Sequence, residues 1–136
     1  MSSKIDTSLP VLIVDDASTQ RAFLRKILEK NGIKLIDEAA SGEEGLTKLK
    51  SAASEGKKYS LIIGDWNMPI MNGMELLKRV KKDPSLKDVP FLMVTAENEA
   101  GTIQEAYREG VNGYLSKPFS AQMLWQKISE IYENLK

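Results

Sequence analysis

Carboxylates, hydroxyls and lysines must carry whatever chemistry this sequence supports, because its 136 residues include no cysteine and no histidine. The absence of Cys excludes disulfides, thiolate metal sites and thiol catalysis, and the absence of His removes the commonest metal ligand and general base. Five candidate residues each come directly after a short apolar run: Asp15, Asp16, Asp65, Thr95 and Lys117. Their spacing along the chain raises the question of which elements could bring them together.

Apolar runs that alternate with helical spacing predict five strands and five helices. The strands are predicted at Leu9–Val14, Lys34–Ala39, Leu61–Gly64, Phe91–Val94 and Gly113–Ser116. In the first helix Phe23, Leu24, Ile27 and Leu28 recur at helical spacing until Asn31-Gly32. In the third helix the apolar face consists of Met74, Leu76, Leu77 and Val80, and the helix stops near Asp83-Pro84. The fourth runs from Glu99 to Glu109 with Ile103 and Ala106 inward.

Capping residues predict where the second and fifth helices begin. Ser41 and Glu44 have the spacing of a capping box ahead of Leu46 and Leu49, and the small, polar segment Ala52–Lys58 is predicted as an exposed loop. Ser120 can cap the last helix. The apolar stripe of that helix is predicted at Leu124, Ile128, Ile131 and Leu135, with Trp125 and Tyr132 on its flank.

Five alternations of strand and helix predict an α/β fold, a doubly wound five-stranded parallel sheet with helices on both faces. In such sheets the carboxyl ends of the strands share one edge, and ligands bind outside it. The five residues named above follow four different strands, so we expect all of them to converge at that edge.

Three carboxylates held together repel one another by about 4 kcal/mol per pair at 4 Å and an effective dielectric of 20, so the cluster requires cations. All-oxygen ligation favours Mg²⁺, which keeps water ligands and readily shares a phosphoryl oxygen. The Thr95 hydroxyl and the Lys117 ammonium would complete a phosphoryl pocket. Each residue also has a purely structural interpretation: Asp15, Asp16 and Thr95 as helix caps, Asp65 as the start of a turn, Lys117 as a solvated lysine.

Composition sets the wider frame. With 42% hydrophobic and 28% charged residues the chain is typical of a globular domain, and we predict one domain, 9–136, after a polar tail, 1–8. Nineteen basic and nineteen acidic residues balance, so nothing favours nucleic acid or an anionic membrane as a partner. No signal peptide or spanning segment is evident, and the cytoplasm is the expected location.

Five short motifs carry a resemblance that covers nearly the whole chain: Val14-Asp15-Asp16, Asp65 to Pro69, Asn72-Gly73, Val94-Thr95-Ala96 and Tyr114 to Phe119. They resemble the receiver domain of two-component response regulators, above all the stand-alone chemotaxis receivers. The resemblance implies a flavodoxin-like (βα)5 fold with strand order 2-1-3-4-5.

The resemblance also implies residue roles. Asp65 would accept a phosphoryl group from a histidine kinase and later lose it by autodephosphorylation. Asp15, Asp16, Asp65 and the Asn67 carbonyl would hold Mg²⁺, while Thr95, Lys117 and the Ala96 backbone N–H would bind the phosphoryl oxygens. The Lys117-Pro118 bond would be cis. Tyr114 would be the switch aromatic, turning inward as Thr95 shifts toward the phosphoryl group.

The implied output is binding rather than catalysis, because the sequence ends with the fifth helix. The partner surface would include Ile103, Tyr107, Tyr114 and Lys127, and the partners would be a histidine kinase, a flagellar motor component and a phosphatase, with the chain itself monomeric. This surface differs from the chemotaxis pattern at Ala100, Gly101, Tyr107 and Trp125, and the Ala52–Lys58 loop is longer than usual.

Three alternatives compete. An aspartyl-phosphate phosphatase would need a second Asp two residues after its nucleophile, but Asp15 and Asp16 are adjacent and Ala17 follows. A flavodoxin-like mononucleotide binder would need a phosphate loop after the first strand, where two aspartates would repel the phosphate. A receiver acting as a phosphorelay intermediate, or as a regulator of another enzyme, is the alternative to chemotaxis.

Overall fold

A computed structural model describes residues 5–135, in which strands and helices alternate from β1 to α5. The strands are β1 Val11–Val14, β2 Ile36–Ala39, β3 Leu61–Gly64, β4 Phe91–Thr95 and β5 Gly113–Ser116. The helices are α1 Ser18–Lys30, α2 Gly42–Ser54, α3 Gly73–Lys82, α4 Ala100–Arg108 and α5 Ala121–Glu133. The predicted alternation is confirmed. Part of the predicted tail, residues 1–4, lies outside the described residues.

The five strands form one parallel sheet in the order β2-β1-β3-β4-β5, as the family resemblance implied. The buried strands β1, β3 and β4 occupy the centre, where near-continuous apolar runs are favoured because both faces are covered. None of the helices within residues 5–135 is both long enough and apolar enough to cross a bilayer.

Each face of the sheet is covered by a separate apolar core. Alternate residues of β1 divide between them: Val11 and Ile13 pack under α1 and α5, while Leu12 and Val14 pack under α2 and α3. Burying each such side chain contributes roughly 1.5–3 kcal/mol. The sheet is therefore held from both sides, and its edge is a rigid platform for the loops that follow the strands.

Three helices begin at residues whose side chains accept a backbone hydrogen bond. Ser41 accepts from Glu44 N at 3.1 Å, Asn72 from Glu75 N at 2.9 Å, and Ser120 from Met123 N at 3.1 Å. Half of the predicted capping box differs, because the Glu44 carboxylate accepts from Ala40 N at 2.6 Å and so reaches one residue beyond the cap.

Two local predictions are wrong. The segment Ala52–Lys58 is not all loop, since α2 continues to Ser54 and its alanines pack against the core. In α5, Tyr132 is buried and donates its hydroxyl to Ser60 O, whereas Leu135 lies beyond the end of the helix and is 42% exposed. Phe23, which belongs to the apolar repeat of α1, is 43% exposed, and its ring contacts that of Phe119 at a centroid distance of 5.8 Å and a tilt of 45°.

Candidate functional site

The pairing of β1 with β3 brings two aspartates side by side. Val14 lies opposite Gly64 in the register, so Asp15 and Asp65 leave the sheet at the same level. Asp65 N still donates to Val14 O at 3.1 Å, which extends the ladder by one bond past the strand. The two carboxylates are thus positioned by the most buried strands of the sheet.

Asp16 completes a cluster of three carboxylates. One oxygen from each of Asp15, Asp16 and Asp65 lies within 4.8 Å of the other two, and Asp16 is the exposed member. The donors are all hard oxygens, which suits Mg²⁺ with its preference for carboxylates and retained water. The exposed side of the cluster leaves room for that water. The residues present therefore fit the metal that the sequence predicts.

Lys117 supplies the cation that this cluster needs when no metal is bound. Its Nζ lies 3.4 Å from Asp65 Oδ2 and 3.7 Å from Asp15 Oδ2. Lys117 N donates to Thr95 O at 2.9 Å, so β4 holds the backbone of Lys117 in place. The peptide bond from Lys117 to Pro118 is cis. The sheet thereby aims an ammonium between two carboxylates.

Burial shapes the acidity of Asp15. The side chain is almost fully buried, and this burial raises the pKa of Asp15 above its ordinary value of 3.8, as do the Asp65 and Asp16 charges. A hydrogen bond from Ala17 N to Asp15 Oδ1 at 2.9 Å and the Lys117 ammonium act in the opposite direction. Asp15 is a carboxylate for which a further cation would be favourable.

Thr95 and Tyr114 are linked through the β4–α4 loop. The Thr95 hydroxyl accepts from Glu97 N at 3.2 Å and from Asn67 Nδ2 at 3.4 Å. The Tyr114 hydroxyl donates to Glu97 O at 2.6 Å, and burial of the ring raises the pKa of Tyr114 to about 12. The tyrosine is thus already inward in this structure. The contact between the Asn67 amide and Thr95 was not part of the sequence prediction.

Ala96 and Lys117 line the same surface hollow. Together with Gln20, Phe23, Pro118 and Phe119, these two residues line an open hollow of about 520 Å³. Ala96 is exposed at the rim of this hollow.

The loop after Asp65 is held against the sheet by a close backbone approach. A Cβ on Gly73 would meet the carbonyl of Asp65, so this position requires glycine. Gly73 N donates to Trp66 O at 2.9 Å and Met71 N to Pro69 O at 2.8 Å. Between them Ile70 is 96% exposed with a φ of 67°, a conformation that a β-branched residue adopts at a cost.

Arg21 is a residue near the site that sequence reasoning missed. Its guanidinium donates from Nη1 to Asp15 O at 2.6 Å and from Nε to Glu38 at 2.9 Å. A basic residue in the first turn of a helix that follows two acids was the available signal. Its partner on β2 could not be identified without the register of the edge strand.

The predicted partner surface is only partly exposed. Tyr107 is 48% exposed and Ile103 and Lys127 are half-buried, but Tyr114 is buried with 7% exposure. The surface of α4, β5 and α5 in this structure therefore presents Tyr107 and Lys127 rather than the Tyr114 ring.

Comparison with known proteins adds to this geometry. Residues 11–129 match the family model described as the response regulator receiver domain, and this span lies inside the predicted domain 9–136. The chain is 39% identical over 135 residues to chemotaxis protein CheY-3 of Vibrio cholerae, covering 99% of this chain and all of that protein. It is 42% identical over 127 residues to chemotaxis protein CheY of Pseudomonas aeruginosa, covering 93% and 98%.

Solved structures of chemotaxis proteins also superpose on this chain. Vibrio cholerae CheY4, crystallized at low pH, superposes with a TM-score of 0.80 at 33% identity, covering 90% of this chain and 98% of that one. The Borrelia burgdorferi complex of CheX and CheY with beryllofluoride and magnesium gives a TM-score of 0.83 at 25% identity, covering 91% and 89%.

Proposed function

The chain belongs to the response regulator receiver domain family, and from that membership we propose that it is a chemotaxis response regulator whose Asp65 accepts a phosphoryl group. The observation that carries the proposal is the position of Asp65, buried among two further carboxylates and 3.4 Å from the Lys117 ammonium. The family match also argues against the phosphatase and mononucleotide-binding alternatives.

In the proposed reaction an Asp65 carboxylate oxygen attacks the phosphorus of a phosphohistidine. The P–O bond forms, the P–N bond breaks, and the imidazole leaves with the electron pair. Lys117 and Thr95 stabilise the charge on the phosphoryl oxygens, and the Ala96 N–H adds a donor. Asp15, Asp16, Asp65 and the Asn67 carbonyl would hold Mg²⁺, which would neutralise further oxygen charge when bound. Attack by water on the same phosphorus later releases phosphate and restores the Asp65 carboxylate.

Phosphorylation would favour one arrangement of the Thr95, Glu97 and Tyr114 network. A phosphoryl group adds about −1.5 to −2 charges and attracts both the hydroxyl of Thr95 and the ammonium of Lys117. A new donor role for the Thr95 hydroxyl would stabilise the inward Tyr114, which already bonds Glu97 O. Partner affinity at the α4, β5 and α5 surface would then rise by linkage.

The proposed partners follow from the relatives. A histidine kinase would donate the phosphoryl group, and the output partner would be a flagellar motor component, since the matched relatives are chemotaxis proteins. A further chemotaxis protein is proposed as a partner because the Borrelia neighbour was solved as a CheX–CheY complex, and the family resemblance adds a phosphatase. All of these partners would be met in the cytoplasm.

The nucleophile is tested with a small phosphodonor. Acetyl phosphate and Mg²⁺ should add one phosphoryl group, measured by intact mass, and chelation of the metal should abolish the addition. Asp65→Asn should remove it, whereas Asp88→Asn, which changes an exposed aspartate away from the site, should not. Labelling of Asp65→Asn at the unmodified level would refute the assignment of Asp65.

The metal site is tested without phosphate. Trp66 neighbours Asp65, so Mg²⁺ should change its emission, and Asp16→Ala combined with Asp65→Asn should abolish the change. Trp125 lies on α5, so a Trp125→Phe background isolates the Trp66 signal. A response that survives the double substitution would count against a shared carboxylate site.

The switch is tested with beryllofluoride, which mimics the phosphoryl group. A purified motor component from one of the matched chemotaxis species should bind the treated protein more tightly than the untreated protein. Equal affinity for both forms would refute the proposed coupling between Asp65 and this surface.

A further inference from the structure

Arg21 links the acidic loop to the edge strand of the sheet. Its Nη1 donates to the carbonyl of Asp15 at 2.6 Å while its Nε donates to the Glu38 carboxylate at 2.9 Å. We propose that Arg21, anchored by Glu38, is a positioning residue for the Mg²⁺ site, because it fixes the peptide group between Asp15 and Asp16. This inference rests on the proposed function, since it concerns the metal site of that same reaction.

The anchor for Arg21 is itself well held. Glu38 lies opposite Ile13 in the register of β1 and β2, and its second carboxylate oxygen accepts from Arg25 Nε at 2.7 Å. Hydrogen bonds from Arg25 and then Arg21 keep the pKa of Glu38 below its ordinary value of 4.5. The Arg21 side chain is only 17% exposed. A planar guanidinium can serve the carboxylate and the carbonyl at once, which an ammonium cannot.

The backbone N–H, the carbonyl and one carboxylate oxygen of Asp15 have partners outside the metal site, while Oδ2 lies 3.7 Å from Lys117 Nζ within it. The Asp15 N–H donates to Ala39 O at 3.1 Å, its Oδ1 accepts from Ala17 N at 2.9 Å, and its carbonyl accepts from Arg21. A peptide group is planar, so a fixed Asp15 carbonyl also fixes the direction in which the chain enters Asp16. The Asp16 side chain is exposed, so the orientation of this peptide plane is what restricts the position of the Asp16 Cα and, through it, of the carboxylate.

The direction in which Mg²⁺ affinity changes when Arg21 is replaced distinguishes a positioning role from a purely electrostatic one. A guanidinium near three carboxylates repels an incoming Mg²⁺, so loss of the Arg21 charge alone would strengthen metal binding. Loss of a residue that positions the ligands would weaken it, as removal of hydrogen-bond partners around metal ligands commonly does by about 10- to 100-fold. The two roles therefore predict opposite changes in Mg²⁺ affinity.

The experiment measures Mg²⁺ dissociation constants by isothermal titration calorimetry for variants shown to be folded by far-ultraviolet circular dichroism. Arg21→Met should weaken binding by about tenfold. Arg25→Met is the comparison variant, because Arg25 shares Glu38 but donates to Ile36 O rather than Asp15 O; it should lose much less Mg²⁺ affinity than Arg21→Met. Arg21→Lys keeps the positive charge but lacks the planar guanidinium that serves two acceptors at once, so it should also weaken Mg²⁺ binding.

Unchanged or tighter Mg²⁺ binding by Arg21→Met would overturn the inference, as would an equal loss in Arg25→Met or full affinity in Arg21→Lys. Should Arg21→Met fail to fold, Glu38→Gln weakens the anchor by removing its charge and one of its two acceptor oxygens, and carries the same expectation of weaker binding. Absence of Mg²⁺ binding by the unmodified protein would refute the proposed metal site as well. If the unmodified protein binds Mg²⁺ and is labelled by acetyl phosphate, but Arg21→Met binds Mg²⁺ with unchanged affinity, then the role of Arg21 is refuted and the proposed function is not.

Discussion

Removal of the Lys117 charge should destabilise the metal-free protein, because two buried carboxylates would lose their shared cation. At an effective dielectric of 20, the separations of 3.4 and 3.7 Å to Asp65 and Asp15 correspond to attractions of about 5 and 4.5 kcal/mol. The repulsion between the two carboxylates, with oxygens within 4.8 Å, is about 3.5 kcal/mol on the same scale.

The measured effect should be smaller than these attractions. The Lys117 side chain is 24% exposed, and water screens part of its charge. In Lys117→Met one carboxylate can also take up a proton, which limits the remaining repulsion. We therefore expect a loss of about 2–3 kcal/mol in the free energy of unfolding at neutral pH, somewhat below the 3–5 kcal/mol typical of broken buried pairs.

Urea unfolding monitored by circular dichroism in the presence of a chelator measures this loss. Lys57→Met is the matched control, because Lys57 lies at the same 3.4 Å from Glu55 but the two side chains are 73% and 59% exposed. That control should change stability by less than about 1 kcal/mol. Adding Asp65→Asn to Lys117→Met should restore much of the loss, since it removes one of the repelling charges.

Saturating Mg²⁺ should also reduce the deficit of Lys117→Met, because a divalent cation would lie among the same carboxylates. The reasoning is refuted if Lys117→Met costs no more than Lys57→Met in the presence of chelator. It is equally refuted if neither Asp65→Asn nor Mg²⁺ reduces the deficit.

Three further outcomes follow from other parts of the structure. Gly73→Ala should lower stability and slow acetyl phosphate labelling, because its Cβ would displace the Asp65 carbonyl, whereas Gly101→Ala has open space and should be neutral or stabilising. Ile70→Asn should raise the free energy of unfolding by about 1 kcal/mol in urea, since Asn tolerates positive φ and little packing is lost. The lowered pKa of Glu38 means that its ion pairs stabilise the fold above pH 4.5 and that this contribution disappears as pH falls through the lowered value. The stability gap between the unmodified protein and Glu38→Gln should therefore shrink in acid denaturation profiles below pH 4.5.

The fold and the centre of the site were predictable because strong local signals agreed with the global topology. Short apolar runs marked β3 and β5 with their observed bounds, and polar residues directly after the strands marked the edge where ligands bind. Convergence of Asp15 and Asp65 required in addition that their strands be neighbours, and this strand order came from the family resemblance rather than from the apolar pattern.

The sequence predictions failed at positions where contacts between distant parts of the chain determine helix length, burial and hydrogen-bond partners. Ala52 and Ala53 have no strong amphipathic signal, yet core contacts extend α2 through them. Tyr132 is buried because its hydroxyl finds a partner in Ser60, a residue 72 positions away. The role of Arg21 depends on which β2 residue faces α1, and a short edge strand specifies its register weakly from sequence alone.

Helix α4 is attached to the sheet less firmly than its neighbours. Among its nine residues, all of which the structure describes, Ala106 alone is buried, and the side chains of the Lys78–Glu105 ion pair at 3.6 Å are 35% and 44% exposed. Its amide hydrogens should consequently exchange with solvent through local opening, at a free energy well below that of global unfolding. A partner that binds α4 would order a loosely held element, so its affinity would depend on how far that opening is already suppressed.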